Sequence, residues 1–157
     1  MYYHFITEWK FEAPVELVWE EIYHSENWPS WWRGVLSAQT IETGNENGIG
    51  DRKKFVWQSL LPYKLSFESV LVENIKYRKL AGNAFGELEG TGIWTFEEKN
   101  GMTYLRYDWK VKTTKKWMNV IAPIAKPFFK WNHDVIMEWG HKALAQRLMV
   151  QQALEFK

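Results

Sequence analysis

Residues capable of chemistry are present in this chain, but few stand at spacings that make a site. Gly44, Gly48 and Gly50 are spaced loosely like a phosphate-binding loop, yet they precede a strand pattern and no Gly-Lys-Ser/Thr follows. They read as turn glycines. His133 and His141 share one helical stretch, but eight residues turn them about 80° apart and no third ligand is adjacent, so no metal site is expected. Cysteine is absent, which excludes thiolate catalysis, Cys-ligated zinc, iron-sulfur clusters and a disulfide scaffold. Neither Gly-x-Ser-x-Gly nor His-Glu-x-x-His occurs, so no nucleophile is visible and no cofactor is expected. Arg106 and Asp108 share an outer strand face, where a surface ion pair explains them, and Glu87 with Glu89, the one candidate carboxylate pair, takes the same outer parity.

The sharpest polar candidate is Asn132, at the centre of an apolar helix face. A buried amide without partners costs about 1–3 kcal/mol. Two readings follow: it bonds a ligand, or it satisfies an indole N–H or a loop carbonyl. Gln146, two turns further along that face, poses the same question. His133 and Asp134 turn progressively away and read as structural or solvent-facing.

The elements that position these groups follow from periodicity. Tyr3, Phe5, Thr7, Trp9 and Phe11 alternate along a first strand, Tyr2–Phe11. Pro14, then Val15, Val18, Trp19 and Ile22 at helical spacing, predict a short helix over 14–23. A second short helix, capped by Ser25 and ended by Gly34, carries Trp28, Trp31 and Trp32. Turn signals then divide the chain into six strands, at about 35–43, 51–59, 63–73, 77–84, 87–99 and 102–113, with Asn100-Gly101 as a two-residue hairpin turn. Sequential hairpins make an antiparallel meander. Beyond Thr114 the pattern is helical, with Pro123 and Pro127 expected to break it near its start. Its apolar face takes in Phe128, Asn132, Val135, Ile136, Trp139, Ala143, Gln146 and Val150.

The order of one strand, two short helices, six strands and a long C-terminal helix resembles the helix-grip fold. This is an α+β architecture in which a curved seven-stranded antiparallel sheet wraps the last helix. Within it the chain resembles the SRPBCC superfamily, which includes START lipid-transfer domains and birch-pollen-allergen-like proteins, and its polyketide cyclase/dehydrase subset. The resemblance rests on Ala13 to Trp19, Trp28 to Val35, Gly48-Ile49-Gly50, Leu88 to Trp94 and Trp131-Asn132-His133-Asp134. It covers almost the whole chain, with one domain expected over 1–157. What it implies is a hydrophobic cavity between sheet and helix; such motifs specify fold better than chemistry.

Composition sharpens that expectation. Of 157 residues 46% are hydrophobic, and there are 11 Trp, 7 Tyr and 9 Phe. Strand parity puts Trp9, Trp57, Trp94 and Trp109 on the inner side, so the rings either close-pack or line a pocket; a void of roughly 300 Å³ or more would mark the pocket. The first expectation is a binding module for a small lipid-like, aromatic or polyketide-like ligand held by Trp57, Tyr63, Phe67, Trp94, Tyr107, Trp109, Asn132 and Trp139. The alternatives are a polyketide cyclase/dehydrase-like enzyme using the same cavity, and an interaction protein docking through Trp28, Trp31 and Trp32 or through the basic segment 109–131. That segment holds six lysines, no acidic residue and interleaved apolar side chains, a candidate for transient contact with a membrane surface. A net charge of +1 gives no reason to expect nucleic acid. No uncharged run is long enough to span a bilayer and no leader pattern is visible, so a cytoplasmic protein is expected.

Overall fold

The computed structural model describes residues 2–155; Met1, Phe156 and Lys157, at the ends of the expected 1–157 domain, lie outside the described residues. Strand β1 (Tyr2–Phe11) leads into α1 (Val15–Tyr23), a 3-10 turn (Ser25–Asn27) and α2 (Trp28–Trp31). Then come β2 (Val35–Glu42), β3 (Arg52–Trp57), β4 (Leu65–Ile75), β5 (Lys79–Gly86), β6 (Leu88–Lys99) and β7 (Met102–Thr113), before α3 (Lys116–Glu155). The seven strands form one antiparallel sheet in the order β1-β7-β6-β5-β4-β3-β2, so the first strand lies beside the last. This is the expected α+β helix-grip arrangement. No helix among the described residues is long and apolar enough to cross a membrane.

The turn chemistry works as the sequence predicts at Asn100 and Gly101, whose φ values of 53° and 76° close the hairpin beneath the Lys99–Met102 pair. It differs at Tyr77. That residue sits in the turn with φ 65° rather than opening β5, and its ring packs edge-on against Trp19 at 5.5 Å. Ser25 does not cap a helix with its side chain; its Oγ accepts a hydrogen bond from Lys53 Nζ at 2.9 Å.

Two corrections concern α3. Pro123 and Pro127 lie inside a continuous helix instead of breaking it. Each removes one N–H and so weakens the first turns locally, while Met118, Ala122 and Phe129 stay buried against the rest of the protein. The buried stripe also differs from the expected one. It runs through Phe129, Asn132, Ile136, Met137, Gly140, Leu144 and Leu148, whereas Phe128, Gln146 and Val150 are exposed. A second apolar stripe on the early turns, which includes Phe128, draws the centre of the helical wheel towards solvent.

Sheet and helix meet around Trp32, which is 1% exposed. Its Nε1 donates to the Ile136 carbonyl at 2.9 Å, and the rings of Trp9, Trp28, Trp31 and Trp57 surround it at centroid distances of 5.0–5.5 Å. Burial of Trp28 and Trp32 corrects the idea that this cluster is a docking surface: the indoles are core, and too little of them meets water. Gly140 makes the approach possible, because a Cβ there would come 2.6 Å from Trp32 Nε1. Replacing Gly140 by Ala should therefore lower thermal stability. The gain in helix propensity is about 1 kcal/mol, while overpacking against a rigid indole costs about 1–3 kcal/mol. Thermal unfolding monitored by circular dichroism checks this; an unchanged or raised midpoint would mean that α2 and α3 separate freely.

Candidate functional site

The inner face of β6 and β7 alternates as parity requires. Trp94 and Phe96 point inward on β6, and Leu105, Tyr107, Trp109 and Val111 on β7. Gly92, opposite Trp109 in the register, carries no side chain; a Cβ there would meet Tyr107 Oη at 2.7 Å and the Trp109 ring at 2.9 Å. The missing side chain lets these two rings lie across the strand. Tyr107 stacks on Trp94 at 3.9 Å and on Trp109 at 5.7 Å, making a continuous aromatic floor.

Over that floor the sheet and the helices leave two adjoining lobes of about 110 Å³ each, which share Trp28, Trp57, Phe67, Trp94, Tyr107 and Trp109 as walls. The first lobe runs towards α1 and β3. Its rim is polar: Lys53 Nζ donates to Ser25 Oγ at 2.9 Å and pairs with Glu26 at 2.7 Å, beside Tyr23 and Asp51. Burial alone would raise the Glu26 carboxyl, but the hydrogen bonds and charge of Lys53 outweigh it and hold the group below its usual pKa. The second lobe lies under α3 and is more apolar, enclosed by Tyr3, Phe5, Tyr63, Leu65, Met118, Phe129, Ile136 and Met137. Neither lobe reaches the roughly 300 Å³ typical of a pocket for a drug-sized ligand, and each is of the order of the 150 Å³ cavities known to take benzene. The interior is thus neither a filled core nor a wide chamber; each lobe suits a group about one ring in size.

The polar atoms of the second lobe are unusual. Asn132 is 8% exposed and its Oδ1 has no hydrogen-bond partner; the same holds for Tyr3 Oη, Trp57 Nε1 and both ring nitrogens of His133. His133 stacks on Phe5 at 4.3 Å, which places the imidazole in the cavity wall rather than in solvent. Burial pushes its pKa down from 6.5 to about 4, outweighing the exposed Asp134 carboxylate 3.7 Å from Nδ1. Desolvation raises Tyr63 to about 12 and pushes Tyr107 further up, so both remain neutral phenols.

Of the residues expected at the site, Trp57, Tyr63, Phe67, Trp94, Tyr107, Trp109 and Asn132 line the second lobe together. Trp139 does not. It lies outside both lobes with the Arg33 guanidinium 4.1 Å over its ring, a consequence of the rotated helix face. Gln146 is exposed and plays no part. Tyr3, Phe129 and Met118 also line the cavity, and so does His133, which was expected to be structural or solvent-facing. Tyr3 was recoverable from the parity of β1; His133 was not, because the curled sheet covers more of α3 than a narrow wheel sector allows. Arg106 and Asp108 form the expected surface pair, with His4 beside Asp108 at 3.4 Å.

No family profile matches this sequence, and no curated protein does. Solved structures do match it closely in shape. A START superfamily protein from Mycobacterium smegmatis superposes with a TM-score of 0.75 at 13% identity, over 94% of this chain and 98% of that one. The Zhui aromatase/cyclase from Streptomyces sp. R1128 gives 0.76 at 12% identity, over 95% and 94%. The di-domain aromatase/cyclase BexL from the BE-7585A biosynthetic pathway gives 0.68 at 16% identity, over 90% of this chain and 50% of that one. The fold is therefore the START-like helix-grip fold that polyketide aromatase/cyclases also have. At these identities the likeness is one of architecture.

The neutral His133 carries a pH signature. As pH falls below 6.5 the unfolded chain takes up the proton first, and only near pH 4 does the folded protein follow. Stability contributed by this group is complete above about 6.5 and is lost progressively down to about 4, on the order of 2 kcal/mol by pH 4.5. Substituting Phe for His133 keeps the stack on Phe5 and should remove that part of the slope. Urea unfolding at pH 7.5 and 4.5 for both proteins measures it; parallel pH dependence would refute the assignment.

Proposed function

We propose that this chain binds a small, ring-bearing hydrophobic molecule with one polar group, held between the inner sheet face and α3. The observation that carries this reading is the Asn132 carbonyl oxygen, buried and unpartnered beside the aromatic walls of the second lobe. A buried acceptor left unpaired costs about 1–3 kcal/mol, and a ligand hydroxyl or N–H arriving at Oδ1 recovers it. Trp57, Phe67, Trp94, Tyr107 and Trp109 supply stacking surface, and the neutral Tyr63 phenol adds a second polar contact. Recognition is then mostly shape and stacking, with one or two oriented hydrogen bonds. The aromatase/cyclase neighbours, which share the fold, support a cavity of this kind.

A second reading is favoured by His133. Its imidazole stands in the cavity wall with both ring nitrogens unbonded; burial makes it a weak base on its own, and an enolate forming beside it would stabilise the imidazolium and raise its basicity. With a poly-ketone in place, one ring nitrogen takes a proton from a methylene between two carbonyls and the resulting enolate carbon attacks a further carbonyl. A ring C–C bond forms, and the proton returns to the new alkoxide. Orientation by the cavity supplies much of the rate, so no covalent nucleophile is needed.

Asn132→Leu separates the binding reading from a purely structural role for the amide. The variant should be more stable than the parent by about 1 kcal/mol, because an unpaired buried acceptor is replaced by an apolar group of similar size. It should also bind 2-naphthol at least about tenfold more weakly while binding naphthalene unchanged, as a lost hydrogen bond of about 1.4 kcal/mol requires. Tryptophan fluorescence titration reads the affinities. A destabilised variant, or equal loss for both probes, would sink the proposal. Native mass spectrometry of copurified ligand distinguishes carrier from enzyme: an unmodified molecule favours the first. Turnover of an added poly-ketone that His133→Gln abolishes, with naphthol binding retained, favours the second.

A further inference from the structure

The first turns of α3 present two opposite faces. Met118, Ala122 and Phe129 face inward, with Met118 and Phe129 in the wall of the second lobe. Outward, Trp117, Val120, Ile121, Ile124, Phe128 and Trp131 fall within an arc of about 100° at helical spacing. All are exposed, Val120 by 78% and Ile124 by 82%. A run of this size and composition on one helix face is a patch that water solvates poorly.

The charges around the patch identify its occupant. From Trp109 to Trp131 there are six lysines and no acidic residue. Lys112, Lys115 and Lys130 are paired with Glu89, Glu87 and Asp134 and the Lys126 ammonium lies over the Tyr3 ring at 5.5 Å, whereas Lys116 forms no ion pair among the described residues. An apolar stripe with the unpaired Lys116 at its margin and an indole near each end matches the interface of a bilayer carrying anionic headgroups. No described helix is both long and apolar enough to span, so the contact is a surface one.

We propose that the outer face of residues 116–131 seats this protein on an anionic membrane surface. Trp117, Ile124, Phe128 and Trp131 enter the headgroup boundary, and Lys116 meets the lipid phosphates. The same turns roof the second lobe, and Trp117 touches Tyr63 of its wall at 5.4 Å. A bilayer seated here lies one helix diameter, about 10 Å, from the cavity. The contact does not depend on the cavity being occupied.

Co-sedimentation with phosphatidylcholine vesicles, with and without phosphatidylglycerol, tests the proposal. The protein should pellet with the anionic vesicles, less so at high salt. Ile124→Glu combined with Phe128→Glu should reduce partitioning at least about tenfold, and Lys116→Glu should lower the preference for phosphatidylglycerol about fivefold or more. The substituted side chains are exposed, and circular dichroism checks that each variant is folded. Brominated lipid supplies a readout on the unaltered protein: its tryptophan emission should be quenched, and Trp117→Phe with Trp131→Phe should remove most of the quenching. Absence of binding to anionic vesicles, equal binding by the Ile124/Phe128 variant, or a dimer that the same variant splits would each overturn the assignment, the last giving the face to a second copy of the chain.

Discussion

The contact on which the rest of this molecule depends is the Trp32 indole pressed against Gly140 and bonded to the Ile136 carbonyl. A helix laid across a sheet can slide until something defines its height and rotation. Here a rigid ring, at the C-terminal end of α2, meets a position on α3 that has no side chain. One hydrogen bond then satisfies the indole N–H, which would otherwise be an unpaired donor in a dry core. With α3 pinned at that point, Leu144 and Leu148 seat in the main core.

Towards its other end α3 has a thinner footing. Met118 and Phe129 cluster with Tyr3, apart from the main core, and the helix spans the lobe between these two supports. Bulky rings stacked on one another hold the floor in place without filling the space above it. Close packing is therefore incomplete by geometry, since indoles tied into pairs cannot also follow the underside of a helix. The cost is several polar atoms without partners; Tyr3, Trp57, Asn132 and His133 bring five of them together around the second lobe, while those of Trp19, Trp31, Ser59 and Asn74 lie elsewhere. Such a grouping is what a ligand with a polar end would exploit, and a core maintained for stability alone would tend to lose it.

Much of the fold was legible because local patterns agreed with one another. Period-two alternation in β1, β6 and β7, the Asn100-Gly101 turn and the helical spacing of Val15, Val18, Trp19 and Ile22 each describe a feature that the chain adopts. Most of the cavity wall followed from the same parity, since Trp57, Phe67, Trp94, Tyr107 and Trp109 have only one apolar side to occupy. Where reading failed, two apolar surfaces competed. On α3 the stripe through Phe128 and the stripe through Phe129 differ by one position, and hydrophobicity does not say which meets the sheet. That ambiguity misplaced Trp139 and hid His133.

By itself the sequence determined the elements, their antiparallel order and the side on which each strand's rings lie, because these depend on residues close together in the chain. Only the tertiary structure decided the rotation of α3, the survival of that helix through Pro123 and Pro127, and the meeting of His133 with Phe5 and of Trp32 with Gly140. Those outcomes depend on contacts between segments more than a hundred residues apart, such as the Trp32–Ile136 bond, and on the space left when rigid rings pack. Local periodicity carries no information about either.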